Sequence, residues 1–452
     1  MSSDEPTYAA IAAALAGAIG EAQVRTDTHL AKRLSHQATP IVVATPRHPA
    51  AAARVLRLAA DHGWSVLPSG AGTHLDAGPV LQPVDVVIES TGLNQVVEYS
   101  PADMVVTVQA GMPLSKLRHV LAEHNQMLPM DAPCTPAATV GGAVSAGLSG
   151  PHRVLYGTFR DLLIGTRIIL ADGRMVRTGG KVVKNVAGYD VTKLVVGSRG
   201  SLGFLTECTF KLKPLPLHRE LCLLVGRTAQ VDWVRARVMD SPLLPSAMEA
   251  TNDAALMHAF ISSRPGTDEP AAEWLLAIDC HENQQAAAYQ TEQVLLLAAD
   301  LGVHAEVLRG QEVERFWARH AETWQHPGSV LRVQAPPTDI MSILNEWTQL
   351  AHERHMAAAV TASLPAGVGR IGLWARRVDE QVELLQELRT RARRRGAASL
   401  LETAPKAVRS VVPMYDSPRL GTAERRLQAA VQRAFGSDGP HFPDTFAGGM
   451  TS

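Results

Sequence analysis

Three glycine-rich segments between residues 68 and 203 constrain this chain more than any other feature. The first is Pro68-Ser69-Gly70-Ala71-Gly72-Thr73, directly after a predicted buried strand over residues 64–67. Glycine permits positive φ and has no Cβ, so the backbone N–H groups of such a loop can converge on an anion. The loop has neither the third glycine of the dinucleotide fingerprint, since Leu75 stands there, nor a Walker A lysine. By itself this loop indicates a ligand only weakly, and a plain turn is the better interpretation.

The other two segments are longer. The second contains Thr139, Gly141 and Gly142 and runs on to Leu148-Ser149-Gly150. Its small residues would let a flat ligand lie against the backbone, although two closely packed backbones need the same composition. The third covers residues 179–190, with two lysines and an asparagine between glycines, and is followed by residues 197–203. Such a run can neutralise a phosphate and hydrogen-bond the edge of a heterocycle.

The length of the chain, a proline pair and the order of helix and strand patterns predict the domain organisation. A chain of 452 residues is too long for one core of ordinary size. A helical segment over residues 1–38 precedes the glycine-rich region, which ends at the pair Pro214 and Pro216. Helical and strand patterns alternate from there onward, which indicates an α+β arrangement. We therefore expect an N-terminal helical extension (1–38), a first domain (39–216), a smaller α+β cap (217–420) and a C-terminal segment (421–452).

Charge and cysteine usage exclude several classes of protein. Lys and Arg number 43 against 44 Asp and Glu, so nothing marks a nucleic-acid or anionic-membrane surface. The four cysteines form no C-x-x-C pair, which argues against an iron–sulfur or zinc site and fits a reducing cytosol. The N-terminus lacks the pattern of a signal peptide, and no apolar run is long enough to span a bilayer. We expect a cytoplasmic protein whose membrane contact, if present, goes through partners.

The glycine-rich segments, in this order and spacing, resemble the flavin-binding domain of the vanillyl-alcohol oxidase/PCMH superfamily. Within it, the run Gly180-Lys-Val-Val-Lys-Asn-Val-Ala-Gly-Tyr-Asp-Val-Thr-Lys-Leu194 is similar to the E subunit of bacterial glycolate oxidases, as are residues 156–161 and 200–203. The similarity covers residues 40–216 and returns near the C-terminus. There Pro443-Asp-Thr445 stands where the family usually has Pro-Gly-Arg. The resemblance implies a two-lobed PCMH-type FAD-binding domain followed by the cap.

The resemblance also implies which residues bind FAD. Ser69 to Thr73 would wrap the pyrophosphate, and the second segment would line the flavin and its phosphates. Gly203 to Leu205 would meet the adenine half. The full implied set is Pro68, Ser69, Gly70, Ala71, Gly72, Thr73, Pro133, Thr139, Gly141, Gly142, Leu148, Ser149, Gly150, Asn185, Gly188, Tyr189, Gly203, Phe204 and Leu205.

Attachment of the cofactor follows from the same comparison. Some relatives bind FAD covalently through a histidine or cysteine of the first two loops. Thr73 occupies the usual histidine position, so we expect non-covalent FAD, with His74 and Cys134 as the residues that could instead attach it covalently.

Two other motifs indicate no further site. No metal is expected: His352 and His355 are three residues apart instead of four and fit a solvated helix face. The arginines between Arg389 and Arg395 also predict a solvated face, with a docking patch as the lesser alternative.

The function implied is oxidation of a small 2-hydroxy acid such as glycolate, with a second flavoprotein subunit and an iron–sulfur subunit as partners. Related dehydrogenases place an H-x-H cluster in the second domain, and this chain has none. The catalytic residues are therefore unassigned. The alternatives are a stand-alone FAD-dependent lactate or glycolate dehydrogenase, a non-catalytic flavin-carrying assembly subunit and, ranked last, an NADPH-dependent reductase of the cell-wall precursor type.

Overall fold

A small, mainly parallel sheet forms the first lobe. The computed structural model describes residues 8–35, 39–78, 80–81, 83–131, 136–180, 189–260, 273–323, 328–374, 377–416 and 422–436. The strands of this lobe are β1 (Val24–Asp27), β2 (Ile41–Ala44), β3 (Val66–Ser69) and β4 (Val86–Glu89), and its helices are α1 (Tyr8–Ile19), α2 (Thr28–Leu34) and α3 (Pro49–His62). The strand order is β1-β2-β4-β3, with β1 antiparallel to β2. The helical prediction for residues 1–38 missed β1, which is too short to show a period.

Helix α3 shows how local sequence sets these elements. Pro49 occupies the first turn, where no N–H partner is needed, and Gly63 ends the helix with φ of 70°. Val55, Leu56 and Ala59 lie on one buried face, because residues three and four apart share a side of a helix. That face packs with α1 on the first sheet, and α2 covers the opposite face.

The second lobe is built on an antiparallel sheet in the order β5-β6-β10-β8-β9. Its strands are β5 (Val96–Ser100), β6 (Val105–Gln109), β8 (Leu163–Ile169), β9 (Met175–Gly179) and β10 (Phe204–Lys211), with β7 (Gln126–Met127) and β11 (Lys213–Pro214) paired beside them. Its helices are α4 (Leu114–Ala122), α5 (Val140–Ala146), α6 (Arg153–Tyr156), α7 (Phe159–Leu162) and α8 (Thr192–Val195). The sequence predicts a hairpin over residues 163–177 with Asp172 and Gly173 at its turn. Strands β8 and β9 confirm it, and Gly173 takes φ of 80° in the turn.

A sheet of eight described strands follows the second lobe, in the order β15-β12-β14-β13-β17-β18-β16-β19. Its strands are β12 (His218–Arg227), β13 (Ala247–Thr251), β14 (Glu273–Glu282), β15 (His304–Arg309), β16 (Ser329–Gln334), β17 (Ala357–Ser363), β18 (Val368–Trp374) and β19 (Ala398–Thr403). Its helices are α9 (Thr228–Met239), α10 (Ala254–Phe260), α11 (Gln284–Asp300), α12 (Gln311–Glu322), α13 (Ile340–Glu353), α14 (Val378–Arg394) and α15 (Lys406–Arg409). We call this sheet and its helices the cap.

The two faces of the cap sheet are covered differently. Helices α9, α11, α13 and α14 bury one face in the largest apolar core of the molecule. On the other face, α10 and α12 cover only the part around β12 and β14. Polar side chains on the rest of that face therefore meet the two lobes.

The C-terminal helix α16 (Thr422–Ala434) returns toward the first half of the chain. Phe435, directly after it, packs against the apolar core of the second lobe. Within the described residues, no helix combines the length and apolarity needed to cross a membrane.

Candidate functional site

A groove lies at the carboxyl ends of β3 and β4, between the two lobes. The loop after β3 forms one wall, the first turn of α5 forms another, and the start of β10 closes the end. The structure thus brings together segments that are more than 100 residues apart along the chain. Twelve of the predicted cofactor residues line this groove: Pro68, Ser69, Gly70, Ala71, Gly72, Thr73, Thr139, Gly141, Gly142, Gly203, Phe204 and Leu205.

Glycine is required in the groove because the backbones approach closely. A Cβ on residue 70 would lie 2.2 Å from the Thr139 hydroxyl oxygen, and one on residue 141 would lie 2.6 Å from the Ala110 Cβ. Gly72 adopts φ of 72°, a conformation that other residues rarely take. The groove therefore keeps its shape only with these glycines.

The first loop offers hydrogen-bond donors to whatever occupies the groove. Among the described residues, none accepts a hydrogen bond from the backbone N–H groups of residues 70–73. Thr139, across the groove, already accepts one from the Gly142 N–H at 3.2 Å. Clustered N–H groups without protein acceptors suit a phosphate, as in other anion-binding loops.

A second cavity, which we call the cleft, opens directly from the groove. It lies between the two lobes and strands β16, β18 and β19 of the cap, and the two cavities share Thr73, His74, Ala77, Ala146 and Arg199. Five arginines line the cleft, against the two carboxylates of Asp76 and Glu402: Arg153, Arg160, Arg199, Arg332 and Arg370.

Both carboxylates of the cleft are already paired. Glu402 accepts from Arg370 at 2.7 Å and lies 3.5 Å from Arg332. Asp76 is paired with Arg33 at 2.6 Å and Arg409 at 3.4 Å. Positive charge is therefore left over, and an anionic ligand would be attracted.

Arg153 is the arginine best placed to meet such a ligand. No described residue forms a hydrogen bond or ion pair with its guanidinium group. Burial, together with the charges of Arg370 and Arg332, lowers the pKa of Arg153. An arginine nevertheless remains a cation at neutral pH. Its five N–H donors match the two oxygens of a carboxylate.

The other predicted cofactor residues lie elsewhere. Leu148 and Ser149 line the cleft instead of the groove. Gly150 lines neither cavity, and a Cβ there would lie 2.3 Å from the Asp131 carbonyl oxygen. The Tyr189 side chain is 96% exposed and also lines neither cavity. Three further residues fall outside the described part of the chain: Pro133, Asn185 and Gly188.

Comparison with protein families identifies the part of the chain that forms the groove. Residues 40–179 match the family described as FAD binding domain. This chain carries an FAD-binding domain. The groove residues fit FAD. The N–H groups of residues 70–73, which have no acceptor among the described residues, suit the pyrophosphate of FAD, and walls of glycine without side chains leave room for a flat ring. We call the two lobes together the FAD domain.

Relatives of the chain include two glycolate oxidase subunits and a hydroxy-acid dehydrogenase. The chain is 43% identical over 144 residues to glycolate oxidase subunit GlcE of Escherichia coli, covering 30% of this chain and 41% of that protein. It is 31% identical over 225 residues to glycolate oxidase subunit GlcD of Bacillus subtilis, covering 49% and 47%. It is 29% identical over 234 residues to D-2-hydroxyglutarate dehydrogenase of Xanthomonas citri, covering 52% and 49%.

These matches support the glycolate oxidase and hydroxy-acid dehydrogenase type without selecting one subunit. Both a GlcE and a GlcD protein match, so the predicted resemblance to the E subunit is not specific. The chain spans about half, or less, of the length of each of these relatives.

Solved structures resemble the chain over nearly its whole length. P-cresol methylhydroxylase with bound substrate superposes with a TM-score of 0.72 at 16% identity, covering 95% of this chain and 94% of that one. Alkyldihydroxyacetonephosphate synthase gives 0.71 at 13% identity, covering 96% and 86%. Identities this low establish the fold alone. The two superpositions confirm the predicted α+β, PCMH-type fold class, for the cap as well as for the FAD domain.

Sequence analysis missed the polar row on the cap sheet. One face carries, strand by strand, Asp279, Glu249, Thr361, Arg370 and Arg332. Cross-strand register places Thr361 opposite Arg370, and Arg370 opposite Arg332. The available signal was one charged residue within each of the apolar strands β13, β16 and β18, since side chains two apart share a face.

Glu249 is the carboxyl group of this row whose pKa is raised. It is 4% exposed, and burial raises its pKa to about 7. Its Oε2 accepts from the Thr361 hydroxyl at 3.3 Å, while its Oε1 has no partner among the described residues. The His320 ring lies 4.0 Å away, and burial lowers the pKa of that imidazole to about 4. Glu249 and His320 are thus both stabilised in their neutral forms.

The arginine run of α14 is only partly a solvated face. Arg389 is 4% exposed and donates to the carbonyl oxygens of Pro413 and Met414 at 2.6 and 2.9 Å. Arg391 and Arg395 pair with Glu346. The solvated-face prediction was wrong for Arg389, because the segment after β19 folds back over the end of α14.

Proposed function

We propose that this chain is the FAD-binding subunit of a glycolate oxidase-like 2-hydroxy-acid dehydrogenase complex. Non-covalent FAD would occupy the groove and a small 2-hydroxy acid the cleft. The observation that carries the proposal is the continuity of the two cavities: a groove fit for FAD opens into a cleft with surplus arginine charge. A carboxylate bound there would lie next to the cofactor.

The chain's own residues would bind and orient the acid. Arg153 would form a charge-assisted pair with the carboxylate, and the Arg332 and Arg370 charges would strengthen the local positive potential. Bound FAD would supply the acceptor for the hydride of the substrate's α-carbon.

A proton acceptor for the hydroxyl group is also required. His74 lines both cavities, and burial lowers the pKa of its imidazole, which favours the neutral form that accepts a proton. Its Nδ1 lies 3.0 Å from the Thr73 hydroxyl, which orients the ring. We assign the proton-accepting role to His74.

Membership of a complex is supported by the relatives that are named as subunits of glycolate oxidase. The chain has no C-x-x-C motif, so an iron–sulfur group that accepts its electrons would belong to a partner. We propose a second flavoprotein subunit and an iron–sulfur subunit as partners, in the cytoplasm, with membrane contact only through them.

A stand-alone 2-hydroxy-acid dehydrogenase is the second candidate. It is favoured by relatives whose names are those of dehydrogenases and not of subunits, such as D-2-hydroxyglutarate dehydrogenase of Xanthomonas citri. The two functions differ in whether the isolated chain turns over.

The test starts from a visible spectrum of the purified chain before and after acid precipitation. We expect a flavin spectrum that moves to the supernatant, and bleaching when glycolate or D-lactate is added without oxygen. Multiple turnovers with an artificial electron acceptor would favour the stand-alone dehydrogenase. A colourless protein that FAD does not reconstitute would refute the proposal.

A further inference from the structure

Two histidines and one aspartate converge where the FAD domain meets the cap. Asp279, on β14, is fully buried. Its Oδ2 lies 2.8 Å from His152 Nε2 and 3.1 Å from His281 Nε2. One potential ligand atom from each residue lies within 4.8 Å of those from the other two. His152 directly precedes α6 in the FAD domain, whereas the other two residues belong to the cap.

Each imidazole is held by its other nitrogen. His152 Nδ1 is hydrogen-bonded to the Asp131 carboxylate, and His281 Nδ1 lies 3.0 Å from the Tyr156 hydroxyl. Both rings therefore direct Nε2 toward the same carboxylate oxygen. Metal-binding histidines are oriented in this way, by a carboxylate or hydroxyl partner on the nitrogen that does not bind the ion.

The carboxylate of Asp279 is held in the same manner. Trp317 Nε1 and Arg219 Nη2 donate to its Oδ2 at 2.8 and 3.1 Å. Its Oδ1 is buried and has no hydrogen-bond partner among the described residues. A buried carboxylate oxygen without a partner is costly, and a cation would satisfy it.

We propose that His152, Asp279 and His281 bind one divalent transition-metal ion of the zinc class. Two imidazole nitrogens and one carboxylate oxygen are a ligand set that zinc accepts, with a water in the fourth position. The carboxylates of Asp131 and Asp279 would offset the charge of the ion beside the Arg219 guanidinium. Because the ligands come from both sides of the interface, the ion would fasten the cap to the FAD domain.

The proposed site differs from what the sequence predicts. No metal was expected from the spacing of His352 and His355 or from the cysteines. His152 lies 127 residues before Asp279, so no local motif joins these two residues. The site is independent of the proposed hydroxy-acid chemistry, since none of the three ligands lines the groove or the cleft.

The first measurement uses the unaltered full chain, stripped with a chelator and then given Co²⁺ or Zn²⁺. We expect about one equivalent of metal per chain by elemental analysis, as one closed site requires. Co²⁺ should add ligand-field absorption at wavelengths beyond the flavin bands, and Zn²⁺ should raise the melting temperature of the stripped protein. Absence of all three responses would overturn the proposal and leave a hydrogen-bonded network that holds only protons.

The second measurement uses His281→Gln with His304→Gln as its matched control. His304 also belongs to the cap and bonds a carboxylate, Glu306, but lies outside the cluster. We expect His281→Gln to lose at least about tenfold in Zn²⁺ affinity and His304→Gln to retain it. Equal affinity in both variants would refute the assignment, and the Co²⁺ spectrum of the unaltered chain decides the matter if His281→Gln does not fold.

Discussion

The α-carbon of Gly70 approaches Thr139 so closely that a Cβ on residue 70 would lie 2.2 Å from the Thr139 hydroxyl oxygen. This contact joins the first glycine loop to the start of α5 and sets the width of the groove. Thr139 is the N-cap residue of α5, and its hydroxyl oxygen accepts a hydrogen bond from the Gly142 N–H. Moving the Thr139 side chain away from residue 70 would break that hydrogen bond.

Gly70→Ala should therefore deprive the chain of FAD. The added methyl group must push the loop away from α5, and the N–H groups of residues 70–73 then lose their common direction. We expect the Kd for FAD to rise at least about tenfold, measured by flavin absorbance per chain after reconstitution. Gly17→Ala is the control, since a Cβ there meets nothing within 4 Å. Full flavin content in Gly70→Ala would contradict the assignment of the groove.

Arg153→Ala should weaken substrate binding and leave FAD in place. Loss of a charged hydrogen bond to a carboxylate corresponds to about 2 kcal/mol, or roughly a 30-fold rise in KM for the hydroxy acid. Arg153→Lys should recover part of the loss, because it keeps the charge but not the planar pair of donors. Arg394→Ala, on the exposed end of α14, is the control. An unchanged KM in Arg153→Ala would show that the carboxylate binds elsewhere.

Glu249→Gln should stabilise the protein at alkaline pH and not at acid pH. Burial raises the pKa of the folded-state carboxyl to about 7, above its ordinary value near 4.5. The folded chain therefore holds a proton that the unfolded chain releases, so stability falls as pH rises from about 4.5 to 7. Removing the charge should restore about 3 kcal/mol at pH 8 and almost nothing below pH 4.5. Thermal melts of both proteins across this range provide the measurement, and a gain independent of pH would contradict the assignment.

Arg389→Ala should destabilise the cap although it lies within a run of surface arginines. It would remove the guanidinium donors of the Pro413 and Met414 carbonyl oxygens, of which Met414 keeps the Leu401 N–H at 2.9 Å. We expect a loss of about 3 kcal/mol in the free energy of unfolding, measured with urea. Arg394→Ala should change it by less than about 0.5 kcal/mol, as exposed substitutions do. Equal effects would mean that Arg389 is solvated after all.

The sequence predicted a helix well where apolar residues recur at helical spacing over several turns. The sequence predicts a helix over residues 284–301, and α11 runs over Gln284–Asp300; the β8–β9 hairpin forms at its predicted turn. The sequence predicts strands over residues 274–278 and 371–374, whereas β14 (Glu273–Glu282) and β18 (Val368–Trp374) are longer, because apolar strands lack a sharp end signal. Strand β1 was missed because its four residues are too few to show an alternation of apolar and polar side chains.

The glycine loops were within reach of sequence reasoning because their chemistry is local. A loop that needs positive φ or close backbone approach must have glycine at that position, whatever the rest of the chain does. The sequence by itself therefore determined the α+β class and the positions where such loops can form. The resemblance that those loops carry implied the FAD cofactor and the twelve groove residues that the structure brings together.

Only the tertiary structure decided what lies around the groove. Arg153 belongs to a short helix of the FAD domain, Arg370 and Glu402 to different strands of the cap, and His152 meets Asp279 across the domain interface. Their proximity depends on strand register and domain docking. These arise from contacts between residues more than 100 positions apart, which produce no repeating pattern in the local sequence. An isolated charge in an apolar strand indicates that it needs a partner, but the fold decides which partner it meets.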